Sequence, residues 1–307
     1  MGHTTLADGI AIWQLVYYIA ALGGSVWVSA RHGFSKSTGW IFLVIFSIIR
    51  IVGCSAQIAT VTVDSDTPWT IAAITGFLGL SPLLLASLGI VSRVCYSIIK
   101  TPWNLEFSFC VVKTVQVPAA VALILCIVGG VSADTPAEIG DQSTTQAGVI
   151  LFLIVLVLIV LLTVGAAVGR NTTGRGEGRL LGAVAVSLPM LLIRIIYSFL
   201  VVFSKDSHFS MASGSTSSIL TDLFMARIEE MLVILVYLWA GITQEAVPEN
   251  DGGVKRSKEE KLLYRAGRGD FGGGKLGMAS LAVHTLVGLF RDDKPKQPAD
   301  ELVEMNV

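Results

Sequence analysis

Seven separate stretches of this chain are apolar for about as long as a helix must be to cross a bilayer, and no other feature limits the fold so severely. They cover residues 9–30, 39–61, 69–91, 111–131, 147–168, 180–203 and 223–242. Hydrocarbon offers a backbone no hydrogen-bond partners. A chain inside it must satisfy its own N–H and C=O groups, as helices or as a closed barrel. Barrel strands would show as ~10-residue segments of alternating polarity, whereas these runs are longer and continuous. The predicted fold is therefore all-α: a polytopic membrane bundle of seven transmembrane helices. Charged residues are 15% of the chain, against roughly 25% in soluble domains, and mean hydropathy is +0.70.

The loop charges predict an orientation, because cytosolic loops collect Lys and Arg. Arg31, His32 and Lys36 follow the first run. Arg93 and Lys100 follow the third, with Lys113 opening the fourth. Arg170, Arg175 and Arg179 follow the fifth. Lys255, Arg256, Lys258, Lys261, Arg265 and Arg268 follow the seventh. The alternate connections carry Asp64 and Asp66, then Asp134, Glu138 and Asp141, then Asp206 and Asp222, with Lys205 as their one strong base. This alternation places the N-terminus outside and the C-terminal tail in the cytosol. The sequon Asn171-Thr172-Thr173 then faces the cytosol and is predicted to carry no glycan. The first run lacks a basic leader, so it reads as an uncleaved span.

Two regions follow: a transmembrane domain over 1–245 and a tail over 246–307. The tail is glycine-rich at 267–277, which favours flexibility. Its apolar segment 276–290 is short for a span and suits an interfacial helix. The basic tail offers a surface to a cytosolic partner. A net charge of −1 implies no nucleic-acid partner. Four scattered cysteines without a C-x-x-C give neither a disulfide framework nor a zinc site. The sequence shows no metal cluster, nucleotide-binding loop or nucleophile triad, so no cofactor and no catalytic residue are expected.

Polar residues inside the runs carry the functional reading. An ionised side chain at mid-bilayer costs about 2.5–3.5 kcal/mol on insertion scales, so it usually has a partner or a task. The candidates are Gln14, Tyr17 and Tyr18 on the first helix and Arg50 and Gln57 on the second. Arg194 and Tyr197 lie on the sixth, and Arg227, Glu229 and Glu230 on the seventh. At about 1.5 Å per residue, all lie in the outer half or the middle of the bilayer. Arg50 shares a face with Gln57, Gln14 with Tyr17 and Tyr18, Arg194 with Tyr197, and Arg227 with Glu230. Glu229 and Glu230 are the acids available to neutralise the arginines. The expectation is an outward-facing polar cavity between helices one, two, six and seven, either binding an anion, a lipid or a small amphiphilic ligand or locking the bundle as an ion-pair network.

Three stretches carry a resemblance: Gly39-Trp40 with Ile49-Arg50-Ile51-Val52-Gly53; Gly79-Leu80-Ser81-Pro82-Leu83-Leu84 running on to Gly89 and Arg93; and Leu188-Pro189 with Ile193-Arg194-Ile195-Ile196-Tyr197. Together they resemble a family of fungal seven-span proteins of unknown function. That likeness covers the helical region and implies fold, topology and a fungal source. Arg194-x-x-Tyr197 is more distantly similar to a late helix of the fungal lipid-translocating exporters.

Three functional readings remain open at this point. One is binding or translocation of a lipid or amphiphile, with membrane lipids as partners. The second is a receptor-like sensor, although Ser92-Arg93-Val94 stands where an acid-Arg-aromatic triplet would be. No lysine on the seventh helix offers a retinal Schiff base either. The third is an intramembrane enzyme of the terpene-cyclase type, using Glu229 or Glu230 as a proton donor.

Overall fold

The computed structural model describes residues 6–32, 39–62, 66–98, 102–133, 136–168, 177–204 and 215–244. All lie within the compact unit Met1–Gly269. The tail, its segment 276–290 and the Asn171 sequon fall outside them. The described residues are helical apart from short turns and helix ends, without a strand. The helices are α1 (Leu6–His32), α2 (Trp40–Ala59), α3 (Asp66–Leu78), α4 (Leu80–Ile98), α5 (Pro102–Val131), α6 (Ser143–Val168), α7 (Glu177–Phe203), α8 (Thr216–Asp222) and α9 (Ile228–Thr243). A 3₁₀ turn, Pro136–Gly140, precedes α6, and a π-helical turn, Leu223–Arg227, joins α8 to α9. Five helical segments are long and apolar enough to cross a membrane: Leu6–His32, Trp40–Ala59, Thr67–Cys95, Ser143–Val168 and Gly178–Phe203. Val115–Val131 is apolar but shorter.

Three runs differ from their sequence limits for local reasons. The third is split at Gly79 into α3 and α4. Pro82, in the first turn of α4, has no N–H to give to the carbonyl four residues back, so the ladder cannot pass through unbroken. The fourth starts at Pro102 rather than 111, a first-turn position where proline's fixed φ suits a helix. The seventh begins at Thr216 rather than 223, because Ser215 caps α8 by accepting from the Ser218 N–H at 3.2 Å. Those polar first residues are invisible to hydropathy.

The α3–α4 column is the pillar of the bundle. In its most apolar window 89% of residues are buried, against 28–39% in the other four long segments. α2, α5, α6 and α7 pack on it. The outer helices form an arc, α2 on α1, α1 on α9, α9 on α7, α7 on α6 and α6 on α5, with α3 touching both of its ends, α2 and α5. Their outward faces are apolar. On α6, Ile150, Ile154, Val157, Leu161, Val164 and Val168 are all exposed, at the alternating four- and three-residue spacing of a single helix face. An apolar stripe of that length facing outward suits lipid and not water.

The helix ends gather at two poles. At one, Arg31 and His32 at the end of α1 reach the last carbonyls of α9. At the other, Gly140 before α6 lies against Val201 and Val202 near the end of α7. Exposed tryptophans mark both poles, Trp27 and Trp239 towards the first, Trp13 and Trp69 towards the second. Trp13 and Trp27 are separated by about 21 Å along α1.

Candidate functional site

Glu230 of α9 lies between two arginines. Its Oε1 accepts from Arg194 Nε at 2.7 Å and its Oε2 from Arg50 Nη2. α2, α7 and α9 are thereby tied together in the interior, where Arg50 and Glu230 are each 1% exposed and Arg194 is 4% exposed. Taking each ion out of water costs several kcal/mol, which good geometry and further hydrogen bonds must offset.

The two arginines are not equally satisfied. Arg194 also donates from Nη2 to the Gly76 carbonyl at 2.6 Å and from Nη1 to Ser198 Oγ, one turn along its own helix. All three of its nitrogens are engaged. The Gly76 carbonyl is available because the helix breaks three residues later at Gly79. Arg50 engages only Nη2; its Nε and Nη1 have no partner among the described residues. The break also makes room for it. A Cβ at Gly79 would stand 3.0 Å from Arg50 Nε and Nη2 and 3.1 Å from its Cζ. Arg50 lies over the Phe46 ring at 5.7 Å and Arg194 over the Tyr197 ring at 5.9 Å, favourable placements for a cation on an aromatic face.

The remaining residues named from sequence fall into four groups. Gln14 and Tyr18 are buried on the α1 face that meets α2. Gln14 Oε1 lies 3.7 Å from Cys54 Sγ, and Tyr18 packs edge-on against Phe46 with ring centres 5.7 Å apart. Tyr17 donates to the Met231 carbonyl at 2.7 Å, fastening α1 to α9. Gln57 and Glu229 are only partly buried. Arg227 does not meet Glu230, although regular α spacing puts them on one face. Its Nε binds Asp222 Oδ2 at 2.9 Å. The π turn explains this: its i→i+5 repeat brings residues five apart into register, and Asp222 and Arg227 are five apart.

Sequence reasoning passed over the Gly76 carbonyl, Gly79, Ser81, Ser198 and Asp222. Ser198 was findable, being one turn beyond Arg194. Gly79 and Ser81 stand just before Pro82 and mark a helix break, a signal that says nothing about what lies opposite. Asp222 reaches Arg227 only through a π turn, which no hydrophobic period announces.

The pole at the end of α9 has its own device. Arg31 Nη1 donates to the Ile242 carbonyl at 2.8 Å, His32 Nε2 meets the Gly241 carbonyl at 2.9 Å, and Arg179 Nη1 reaches the Thr243 carbonyl at 3.5 Å. The final carbonyls of a helix lack intrahelical donors and carry its negative end, so basic groups from α1 and α7 suit both needs. His32 also stacks on Trp40 at 5.6 Å.

No curated protein and no solved structure matches this chain. Residues 4–247 match the model of a domain of unknown function, DUF7702, a span that takes in every described helix.

Proposed function

The chain belongs to the DUF7702 family of unknown function, and on that premise we propose that it is a seven-span membrane protein that binds or translocates a lipid or amphiphile at the polar layer between α1, α2, α7 and α9. The seven columns are α1, α2, α3–α4, α5, α6, α7 and α8–α9. The acidic and basic connections orient them with the N-terminus outside and the tail cytosolic. The observation that carries the reading is the buried trio Arg50–Glu230–Arg194 at mid-depth. Ionised groups at that depth are expensive, and in membrane proteins they mark binding sites and pathways by default. A π turn at Leu223–Arg227 adjoins the layer, and such turns are frequent at functional sites. Arg194-x-x-Tyr197, the pair through which the chain resembles fungal lipid-translocating exporters, lies in the same layer. A proton-donating enzyme fits less well, since both oxygens of Glu230 are engaged by guanidiniums.

The test is reconstitution of the purified full chain into phosphatidylcholine vesicles, with movement of a short-chain fluorescent lipid between leaflets followed by chemical quenching. The expected result is movement faster than in empty vesicles, reduced by Glu230→Gln, together with lipid retained through purification. Empty-vesicle rates combined with no retained lipid would remove the reading.

A further inference from the structure

We infer that the amphiphile taken by this protein carries a single negative charge on an oxyanion, a carboxylate or a phosphate diester, held at Arg50 of α2 beside α1 and the Gly79 break. The inference rests on the reading just given and adds to it the charge and chemistry of the ligand.

The first argument is a count of charge. Among the described residues, the ion pairs of the layer hold three guanidiniums, Arg50, Arg194 and Arg227, against two carboxylates, Glu230 and Asp222; the buried Asp8 stands about 9 Å along α1 from Gln14, towards the helix start. Asp222 is committed to Arg227 and Glu230 is shared by the other two, which leaves one positive charge uncompensated. Glu229 is the next acid along α9. It is only partly buried and points about 100° round the helix from Glu230. An uncompensated ion in the interior costs several kcal/mol, so the layer is built for one more negative charge.

The second argument locates the deficit. Arg194 has a partner on every nitrogen, whereas Arg50 leaves Nε and Nη1 without one. Its surroundings repeat the pattern. Tyr18 OH, Gln14 Nε2 and Ser81 Oγ are also buried and without partners among the described residues. Gln14 and Tyr18 are one turn apart on α1. Arg50 and Cys54 are one turn apart on the facing side of α2, and Cys54 touches Gln14. Tyr18 and Arg50 both lie against the Phe46 ring, each at 5.7 Å from its centre. Ser81 follows by two residues the Gly79 that abuts the Arg50 guanidinium. Every one of these atoms can donate a hydrogen bond; Arg50 Nε, Arg50 Nη1 and Gln14 Nε2 can do nothing else, while the hydroxyls of Tyr18 and Ser81 can also accept. The group as a whole is short of acceptors. An oxyanion accepts only, and with four or more lone-pair sites it can serve several donors at once. A neutral ester or a hydrocarbon tail would leave the charge and most of the donors as they are.

The experiment uses the purified full chain in phosphatidylcholine nanodiscs and three probes: a fluorescent fatty acid, the methyl ester of the same molecule, and inorganic phosphate. The acid and ester share a tail and differ in charge. The acid is expected to bind roughly tenfold or more tightly than the ester, the range for hydrogen bonds to a charged group. Tyr18→Phe and Ser81→Ala each remove one hydroxyl and leave the ion pairs intact. Each is expected to weaken the acid roughly five- to tenfold and the ester by less. Circular dichroism and thermal unfolding confirm that both variants fold. Inorganic phosphate that displaces the acid, with the same sensitivity to Tyr18→Phe, supports the oxyanion site and assigns it to a soluble ligand, against the amphiphile reading. Equal binding of acid and ester overturns the inference and leaves the amphiphile reading standing. Binding of none of the three overturns both.

Discussion

The Arg50 guanidinium occupies the space that Gly79 leaves by having no side chain. A Cβ there would come to 3.0 Å from two of its nitrogens, tighter than ordinary van der Waals contact. Glu230 holds that guanidinium through Nη2, one of the same two nitrogens, so it cannot retreat without loss of the ion pair. Gly79→Ala is therefore expected to destabilise the protein by about 1–3 kcal/mol, the usual cost of overpacking an interior. Thermal unfolding in detergent measures it. In an Arg50→Lys background, where the planar group is gone, the same substitution should cost clearly less. An equal cost in both backgrounds would show that the clash lies elsewhere.

Glu230 neutralises two cations at once, so its loss is costlier than the loss of either arginine. Glu230→Gln leaves two buried guanidiniums facing each other across α2 and α7. The expected destabilisation is about 3–5 kcal/mol, as when one partner of a buried pair is removed. Arg194→Met combined with Glu230→Gln should cost less than the sum of the two, since the double change removes one stranded charge. Strict additivity in a double-mutant cycle would count against direct pairing.

At the pole where α9 ends, Arg31 and Arg179 complete its last carbonyls from outside the helix. Arg31 is exposed and its bond is the shorter. Arg31→Ala should lower stability by roughly 0.3–1 kcal/mol, less as salt is raised. Arg179→Ala, from 3.5 Å, should do less still. His32→Ala should exceed both, because it removes a buried ring stacked on Trp40 as well as a hydrogen bond.

The exposed stripe on α6 distinguishes lipid from water as its surroundings. Val157→Lys places a cation in the middle of that face. In a bilayer it is expected to disfavour insertion by about 2.5–3.5 kcal/mol, measured as reduced membrane-integrated yield. A water-facing α6 would gain solubility instead.

Orientation is read by glycosylation. A sequon engineered at Glu138, in the exposed turn before α6, is expected to acquire a glycan in a eukaryotic membrane. The native Asn171 sequon should remain bare. The reverse pattern would invert the topology.

Much of this was legible in the chain itself, because a bilayer enforces simple rules. Uninterrupted apolar length gave the long helices, since hydrocarbon leaves a backbone no other choice. The rarity of charge inside the runs singled out Arg50, Arg194 and Glu230, because each is expensive enough to stand out against an apolar background. Pairing was a different matter. Spacing along one helix set Arg227 beside Glu230, but the π turn gave Arg227 to Asp222 and left Glu230 to arginines from two other helices. Nothing in hydropathy indicated that Gly79 and Pro82 would break the central column, free the Gly76 carbonyl for Arg194 and make room for Arg50. Hydrophobicity is a property of single residues summed along a segment, and it reads directly from sequence. Which ion meets which depends on how helices distant in the chain are rotated and shifted against one another, and only the packed bundle decides that.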